Sequence, residues 1–478
     1  MAMVLEASGG RATEIHPRVG TLAALSLAML LPSLSTSIAN IALPTLTQAF
    51  EASFGQVQWV VLAYLLALTT VIVSVGRLGD IVGRKRLLLA GILLFTAGAG
   101  LSGLAPALWL LIAARAIQGV GAAVMMTLSI ALVHESVPPE KAGSALGLLG
   151  TMSAVGTALG PSLGGLLIAA AGWRSIFLIA VPLGAVAFVL GRRLPESSAT
   201  PGRDRPGFDK LGTLLLATAL GAFSVATTFG GGSFGSLNIA LLIGAVAALA
   251  LFLLSQARSP TPLIPLETMR RPAIRTGLVA GVLVSTVLMT TMVVGPFYLS
   301  GALGLQSAIV GLVMSIGPAV VALCGVPAGR AADRFGSGRT TIIGLIGILT
   351  GCLLLSLLPA NLSLLGYIPA AAVLTLGYAL FQTSNNLAVM AGATPDQRGV
   401  VSGMLNLSRN LGLICGASVM GAVFANATTA HSGGVPAHAV AVAMHVTFAV
   451  AACLVLMALT LTCGSTIRSG GTAGEVAA

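Results

Sequence analysis

Long apolar runs, each long enough to cross a lipid bilayer, follow one another along almost the whole chain. A membrane-spanning helix needs about 20 predominantly apolar residues. Short polar stretches separate the runs, so the pattern predicts an all-α membrane protein with fourteen transmembrane helices. The predicted helices cover residues 20–42, 57–77, 87–105, 108–133, 143–170, 174–191, 211–229, 237–257, 275–299, 306–328, 340–358, 363–390, 400–426 and 438–463.

The composition agrees with a chain that lives in a lipid bilayer. Of its 478 residues, 56% are hydrophobic and 8% are charged. A soluble domain carries about 25% charged residues, so this chain could not keep itself in solution. The net charge of +11 does not form a patch for nucleic acid, because almost all of the basic residues lie in alternate connectors. By the positive-inside rule, these connectors and both termini face the cytoplasm, and no nucleic-acid partner is expected.

A short charged motif occurs twice, once in each half of the chain, in predicted loops. The two copies are GRLGDIVGRKR at 76–86 and GRAADRFGSGR at 329–339. A second pair, PEKAG at 139–143 and PDQRG at 395–399, follows at a similar separation. This repeat predicts two pseudo-symmetric six-helix bundles, related by an axis along the membrane normal, with two inserted helices. The predicted boundaries are 1–193 for the first bundle, 194–273 for the linker with the inserted helices, and 274–478 for the second bundle.

The acidic residues of the repeated motif are candidate gating residues. Asp80 and Asp333 stand where a carboxylate can accept hydrogen bonds from a helix N-terminus and pair with arginine. If the bundles face each other, Asp80 reaches the start of helix 13 at Arg398, and Asp333 reaches the start of helix 5. Gly83, followed by Arg84, permits a tight turn in the first copy. The alternative is an ordinary charged loop at the membrane surface.

Helix 5 contains the sequence GTALGPSLGG, which places three glycines on one face. Gly156, Gly160 and Gly164 are four residues apart, and Pro161 lies in mid-helix. Small residues let neighbouring backbones touch, and proline frees a carbonyl group and bends a membrane helix. We therefore expect a bent helix at the interface between the two bundles, with a role in gating. Close packing without such a role is the alternative for the glycines.

Polar side chains recur at helical spacing in three predicted helices and give a candidate substrate-binding set. An arginine inside a membrane helix is costly unless it faces a wet cavity or a partner, so Arg115 stands out. Serine and threonine there more often bond to their own backbone, and methionine packs as readily as it lines a pocket. The predicted helices contain no aspartate or glutamate. The candidates are Asn40, Arg115, Gln118, Met125, Tyr378, Gln382, Asn385 and Asn386.

In combination, these motifs resemble those of the major facilitator superfamily, and more narrowly its fourteen-helix drug/proton antiporter branch. The resemblance implies a twelve-helix core in which helices 1, 4, 9 and 12 line a central cavity, with the inserted helices outside it. It also implies a bacterial-type plasma membrane location and the export of small amphipathic molecules driven by protons. The matching stretches are GRLGDIVGRKR, RAIQGVGAA at 115–123, GTALGPSLGG, WVVLAYLLA at 59–67 and NLSRNLGLICGA at 406–417.

The sequence departs from that branch at one position that matters for chemistry. The branch usually has an aspartate in helix 1, whereas LSTSIANIALP at 34–44 has Ser35 at the corresponding place. The resemblance places Ser35 in the cavity wall, and Tyr64, in the WVVLAYLLA stretch, joins it as a candidate substrate-binding residue. The missing acid puts a preference for cations and the usual proton route in question.

Four functions stay open at this point. The leading one is an exporter of small amphipathic molecules by proton antiport, and the second is an uptake carrier or facilitator without proton coupling. A multi-helix membrane enzyme, such as a lipid acyl- or glycosyltransferase, would need a polar reaction centre, and the outer loops offer only Glu51, His431 and His438. A sensor or scaffold on a transporter fold is the fourth. The five cysteines form no CxxC pair, so the sequence predicts no metal site and no cofactor.

Overall fold

Among the residues that the computed structural model describes, fourteen helices are long and apolar enough to cross a membrane, which confirms the predicted number. The structure describes residues 19–137, 139–194, 209–228, 235–258, 268–358, 363–394, 397–430 and 436–475, and these ranges contain no strand. We number the helices α1 (Val19–Ala49), α2 (Phe54–Val82), α3 (Arg84–Leu104), α4 (Leu108–Ser136), α5 (Pro139–Ala171), α6 (Ser175–Arg192), α7 (Lys210–Thr228), α8 (Ser236–Arg258), α9 (Pro272–Ala302), α10 (Ser307–Phe335), α11 (Ser337–Ser356), α12 (Ser363–Ala391), α13 (Arg398–Ala430) and α14 (Pro436–Glu475).

Three of these helices are locally irregular. The α-helical pattern of α6 is interrupted at Ile179. A π-helical segment, Tyr298–Ala302, closes α9, and another, Gly416–Met420, lies inside α13. The two π segments lie in α9 and α13, which pack against each other in the second bundle. Both helices also line the cavity described below.

The repeated charged motif is almost entirely helical, which corrects its placement in a loop. Residues 76–82 form the last turns of α2, and α3 begins at Arg84, so Gly83 alone separates the two helices. Gly83 has a φ of 99°, and Gly336, between α10 and α11, has a φ of 86°. Residues with a side chain rarely adopt such positive values, so glycine lets each chain turn within one residue. We call the end of the molecule marked by Gly83 and Gly336 the motif end.

The same close contact between helices occurs once in each half of the chain. Gly156 of α5 lies against the carbonyl oxygen of Leu30 in α1, and Gly412 of α13 lies against that of Val282 in α9. A Cβ atom at either glycine would overlap the opposing backbone, so only glycine permits this spacing. This contact, made between equivalent helices in each bundle, indicates that α1–α6 pack like α9–α14. The predicted domain boundaries, at residues 193 and 273, stay a prediction.

The two inserted helices, α7 and α8, pack against each other, and α7 also packs against α2 of the first bundle. Two polar contacts join α7 to α2. Ser74 Oγ lies 2.8 Å from Thr213 Oγ1, and Trp59 Nε1 donates a hydrogen bond of 3.0 Å to Thr228 Oγ1. Because no water competes for such groups in the hydrocarbon region, these contacts fix α7 to the outside of the first bundle.

The two bundles are in contact at the end opposite the motif end. Phe54 of α2 packs against Phe297 of α9 and Phe424 of α13, with ring centroids 4.7 and 5.3 Å away. Gly165 of α5 and Gly311 of α10 bring two backbones together, since a Cβ atom at Gly165 would lie 3.0 Å from the Cα atom of Gly311. These aromatic and backbone contacts hold the two bundles together, so we describe the molecule as closed at this end.

Candidate substrate cavity

A cavity of about 280 Å³ lies between the two bundles. Its lining residues come from α1, α2, α4 and α5 of the first bundle and from α9, α10, α12 and α13 of the second. The resemblance implied α1, α4, α9 and α12, all of which contribute. The inserted helices α7 and α8 supply none of the lining residues, in agreement with their position outside the core.

The cavity faces open space toward the motif end. Gly147 of α5 and Gly403 of α13 lie three residues before the lining residues Gly150 and Asn406, and so continue the cavity-facing rows by one turn. Both are exposed, and a Cβ atom added to either would meet no atom within 4 Å. Together with the contacts at the opposite end, this places the structure in a conformation open at the motif end only.

Equivalent positions of the repeat face the cavity from α5 and α13. Four residues of each helix line it, and the same step of 256 residues along the chain relates all four pairs. That step also separates Pro139 from Pro395, which begin the second pair of motifs. The lining residues are Gly150, Ser153, Ala154 and Thr157 on α5, and Asn406, Arg409, Asn410 and Leu413 on α13.

The cavity wall is polar on some helices and apolar on others. Ser33, Thr36, Ser37 and Asn40 line it from α1 and supply hydroxyl and amide groups. Residues 288, 289 and 292 of α9 supply a leucine and two methionines instead. Among the lining residues, which all belong to the described ranges, a single arginine on α13 carries the only charge. This mixture suits a ligand with one polar part and one apolar part.

Three of the predicted substrate-binding residues line this cavity, namely Asn40, Tyr378 and Gln382. Asn40 Nδ2 donates to the carbonyl oxygen of Thr36 at 3.0 Å, while its Oδ1 is buried without a partner among the described residues. The hydroxyl of Tyr378 is likewise buried and unpartnered there. Because buried polar groups nearly always find a partner, such atoms on a cavity wall indicate binding capacity that water or a ligand would use.

Arg115 lies behind the cavity wall and joins three helices of the first bundle. Its Nε donates to the carbonyl oxygen of Val60 at 3.0 Å, and its Nη1 donates to Ser35 Oγ at 2.8 Å and to Gln118 Oε1 at 2.7 Å. Its guanidinium carbon lies 4.2 Å from the centroid of the Tyr64 ring, a cation–π geometry. The side chain is fully buried, so these contacts replace the water it has lost. We call these five residues the Arg115 cluster.

The other seven predicted substrate-binding residues do not line the cavity, which corrects their assignment to its wall. Met125 is fully buried in the core, whereas its neighbour Met126 lines the cavity. Asn385 Nδ2 donates to the carbonyl oxygen of Gly277 at 3.1 Å and so links α12 to α9. Ser35, Gln118 and Asn385 make their hydrogen bonds to neighbouring helices. The seven are Ser35, Tyr64, Arg115, Gln118, Met125, Asn385 and Asn386.

Arg409 is the main cavity residue that the candidate set left out. It stands in NLSRNLGLICGA, one of the stretches that carry the resemblance. The signal was present, because an arginine inside a membrane helix needs a cavity or a partner whichever bundle it belongs to. Applied to both bundles, the argument that selected Arg115 selects Arg409 as well.

The predicted gating residues of α5 contact two different neighbours. Gly156, Gly160 and Gly164 pack against α1 in the same bundle, where a Cβ atom at Gly160 would overlap Ser37. Pro161 faces the other bundle, because a Cβ atom at Gly311 of α10 would overlap the Pro161 carbonyl oxygen. Helix α5 therefore lies at the interface between the bundles through Pro161, while its glycine row holds the first bundle together.

The predicted latch at the motif end is described only in part. The side chains of Asp80 and Arg398 lie outside the described residues, so the contact between them stays a prediction. Asp333 is exposed near the end of α10, and Arg84 begins α3 directly after Gly83. An exposed Asp333 agrees with a motif end that is open in this conformation.

Comparison with known proteins decides which family has this architecture. Residues 25–417 match the family model described as the Major Facilitator Superfamily. The chain belongs to the major facilitator superfamily. Within the superfamily, the D-xylose–proton symporter has the same fold, with a TM-score of 0.68 at 14% sequence identity, covering 93% of this chain and 96% of that one.

Two curated relatives of this superfamily member are closer in sequence. The riboflavin transporter RibZ of Clostridioides difficile is 29% identical over 408 residues, which cover 85% of this chain and 88% of RibZ. The multidrug resistance protein Stp of Mycobacterium tuberculosis is 31% identical over 408 residues, which cover 85% of this chain and 75% of Stp. The family and these relatives make the chain a multi-pass membrane transporter of small molecules rather than an enzyme.

Proposed function

We propose that this transporter exports small amphipathic molecules by alternating access, in exchange for protons, across a bacterial plasma membrane. The observation that carries the proposal is the cavity between the bundles, open at the motif end and closed at the other. Its hydroxyl and amide groups on α1, α12 and α13 and its methionine wall on α9 suit a molecule with a polar and an apolar part. The name of Stp, a multidrug resistance protein, supports export as the direction.

The alternate state follows from rocking the two bundles about the cavity. The contacts around Phe54 and between Gly165 and Gly311 would separate, and the motif end would close. There Asp80 would meet the start of α13 and Asp333 the start of α5, as the repeated motif predicts. The positive-inside rule places the motif end and both termini in the cytoplasm, so this cycle would carry a ligand from the cytoplasm outward.

A facilitator without proton coupling is the second candidate, and one observation favours it. The lining residues of the cavity include no aspartate or glutamate. Carboxylates and histidines are the groups that most readily take up and release protons near neutral pH, whereas arginine stays protonated. Proton exchange would therefore have to use a group outside the cavity wall.

Transport into inside-out vesicles distinguishes these functions. Vesicles from cells that produce the protein would be given radiolabelled amphipathic compounds, with and without an imposed pH gradient, beside vesicles that lack it. Accumulation that requires the gradient and disappears with a protonophore is the result expected for antiport. Equilibration that ignores the gradient would identify the facilitator. Absence of protein-dependent movement for every compound would contradict export of amphipathic molecules.

A further inference from the structure

Arg409 is a charged side chain on the cavity wall without a partner for one of its buried donors. Its Nε atom is buried and forms no hydrogen bond with any described residue. Arg409 lies eleven residues after Arg398, the first residue of α13, which is roughly 16 Å along the helix axis. The hydrocarbon core of a bilayer is about 30 Å thick, so this cation stands near its middle, where an unsatisfied charge is costly.

The other arginine inside a membrane helix shows how the chain satisfies such a group by itself. Arg115 donates hydrogen bonds from Nε, Nη1 and Nη2 to Val60, Ser35 and Gln118, and its guanidinium lies over the ring of Tyr64. The chain thus encloses one arginine completely and leaves the other facing a cavity. Such a difference is expected where the second arginine has a ligand to bind.

The surroundings of Arg409 favour an anion as that ligand. No acidic residue lines the cavity, so nothing on its wall balances the positive charge. Asn410 and Asn406 flank Arg409 on the lining face of α13, and both can donate from an amide group. Tyr378, on neighbouring α12, presents the unpartnered hydroxyl described above. Guanidinium and neutral donors together are the usual ligands for carboxylate and phosphate oxygens.

The apolar part of the cavity lies on another helix. Leu288, Met289 and Met292 line it from α9. Methionine side chains are flexible and polarisable, so they adapt to apolar groups of different shape. A ligand that filled the cavity would have an anionic group at Arg409 and an apolar body against α9.

We propose that Arg409 binds the anionic group of amphipathic organic anions, such as aromatic carboxylates, sulfonates or phosphate esters. The proposal rests on the proposed export of amphipathic molecules and names the charge class of the substrate. Arg409 supplies a two-pronged donor, the amides of α13 and the Tyr378 hydroxyl supply further hydrogen bonds, and the α9 methionines hold the apolar body. Organic cations are excluded from this cavity by its own positive charge.

A matched series of fluorescent ligands tests this assignment on the purified full-length protein. The three ligands share one aromatic body and carry a carboxylate, a carboxamide or a trimethylammonium group. We expect the carboxylate to bind at least tenfold more tightly than the carboxamide, and the trimethylammonium ligand to bind most weakly. Arg409→Gln should remove the advantage of the carboxylate. Arg409→Lys should keep part of it, because lysine retains the charge but not the paired donors.

Arg258→Gln is the matched control, since Arg258 is exposed at the end of α8, outside the cavity. This variant loses the same charge and should keep the full preference for the carboxylate. Equal affinities of the unmodified protein for carboxylate and carboxamide would overturn the proposal, as would an unchanged preference in Arg409→Gln. If Arg409→Gln does not fold, a preference in Arg409→Lys as large as in the unmodified protein would overturn it instead.

The vesicle experiment separates this inference from the proposed function. Export of the carboxamide ligand without any preference for the carboxylate would reject the anion site and leave export standing. Tight, Arg409-dependent binding of the carboxylate without movement of any ligand would reject export and leave the anion site standing.

Discussion

The two bundles present equivalent positions to the cavity and fill them with different side chains. On α5 the facing row contains Ser153 beside glycine and alanine, whereas the equivalent row on α13 contains Arg409 between two asparagines. On α1 and α9 the polarity is reversed. Ser37 of α1 corresponds to Met289 of α9, and Asn40 corresponds to Met292, at the step of 252 residues that also relates Leu30 to Val282 in the glycine contacts of the two bundles. The two bundles thus present equivalent positions to the cavity, while the polarity of the side chains at those positions differs.

Arg115 and Arg409, the arginines near the middle of their membrane helices, extend this contrast to the interior of the bundles. Arg115 has an alanine, Ala371, at the equivalent position of the second bundle. Arg409 has Ser153 at the equivalent position of the first bundle. Arg115 and Arg409 are therefore each peculiar to one bundle, and their surroundings differ. Arg115 holds α1, α2 and α4 together, and Arg409 faces the cavity.

The largest effect is expected from removing Arg115. Arg115→Ala would leave the buried acceptors of Val60 and Gln118 unsatisfied and would create a void beside the Tyr64 ring. Leaving a buried acceptor unsatisfied costs about 1–3 kcal/mol, and the void adds to this cost, so we expect the free energy of unfolding to fall by several kcal/mol. Thermal unfolding of the purified protein would measure it. Arg409→Ala is the control and should change stability far less. Equal stability of the two variants would contradict the division of roles.

The sequence predicted the helices and the repeat much better than the direction in which each polar face points. The lengths of the apolar runs predict how many times the chain crosses the bilayer. The tight turns at Gly83 and Gly336 can also be predicted, because such turns favour glycine and both glycines belong to the repeated motif. The direction of a single side chain is harder to predict. Met125 and Met126 are adjacent in one helix, yet Met125 is buried in the core and Met126 lines the cavity. Arg115 shows why, since one of the oxygens to which it donates belongs to the backbone of Val60, and any sequence supplies a backbone carbonyl.

The next largest effect is expected from a substitution at the closed end of α5. Gly165→Ala would place a methyl group on the carbonyl oxygen of Ser307 at the closed end. Overpacking of this kind costs roughly 1–3 kcal/mol. Since about 1.4 kcal/mol is a tenfold change in an equilibrium, we expect the population closed at this end to fall several-fold or more.

Pulsed electron paramagnetic resonance between spin labels at Ser53 and His438, in a background without the native cysteines, would measure this population. The two labels lie on different bundles at the closed end, so opening lengthens the distance between them. Gly147→Ala is the control on the same helix, because a Cβ atom there meets nothing within 4 Å. A distance distribution that Gly165→Ala leaves unchanged would show that the bundles do not separate at this contact.

A smaller effect, on affinity, is expected from adding an acid to the first bundle. Ser153→Asp would place a carboxylate on the cavity wall at the position equivalent to Arg409. It should weaken binding of the carboxylate ligand about tenfold, the change that about 1.4 kcal/mol of added repulsion gives. Ser35→Asp should leave the affinity unchanged, because Ser35 Oγ lies 2.8 Å from Arg115 Nη1 and the new acid would pair with that arginine. If Ser35→Asp weakened binding of the carboxylate ligand more than Ser153→Asp does, this would indicate that Ser35 lines the cavity.

The smallest effect is expected at the inserted helices, which have no counterpart in the repeat. Thr228→Val would remove the acceptor of the Trp59 hydrogen bond and leave a half-buried indole N–H without its partner. The net loss of one such bond is about 1 kcal/mol, so the free energy of unfolding should fall by that amount. Thr218→Val is the control, since Thr218 is exposed and bonds only to the carbonyl oxygen of Leu214 in its own helix. Both variants should transport at the rate of the unmodified protein, because α7 lines no part of the cavity. A change in ligand affinity or transport rate in Thr228→Val, with stability intact, would instead assign the inserted helices a role in the transport cycle.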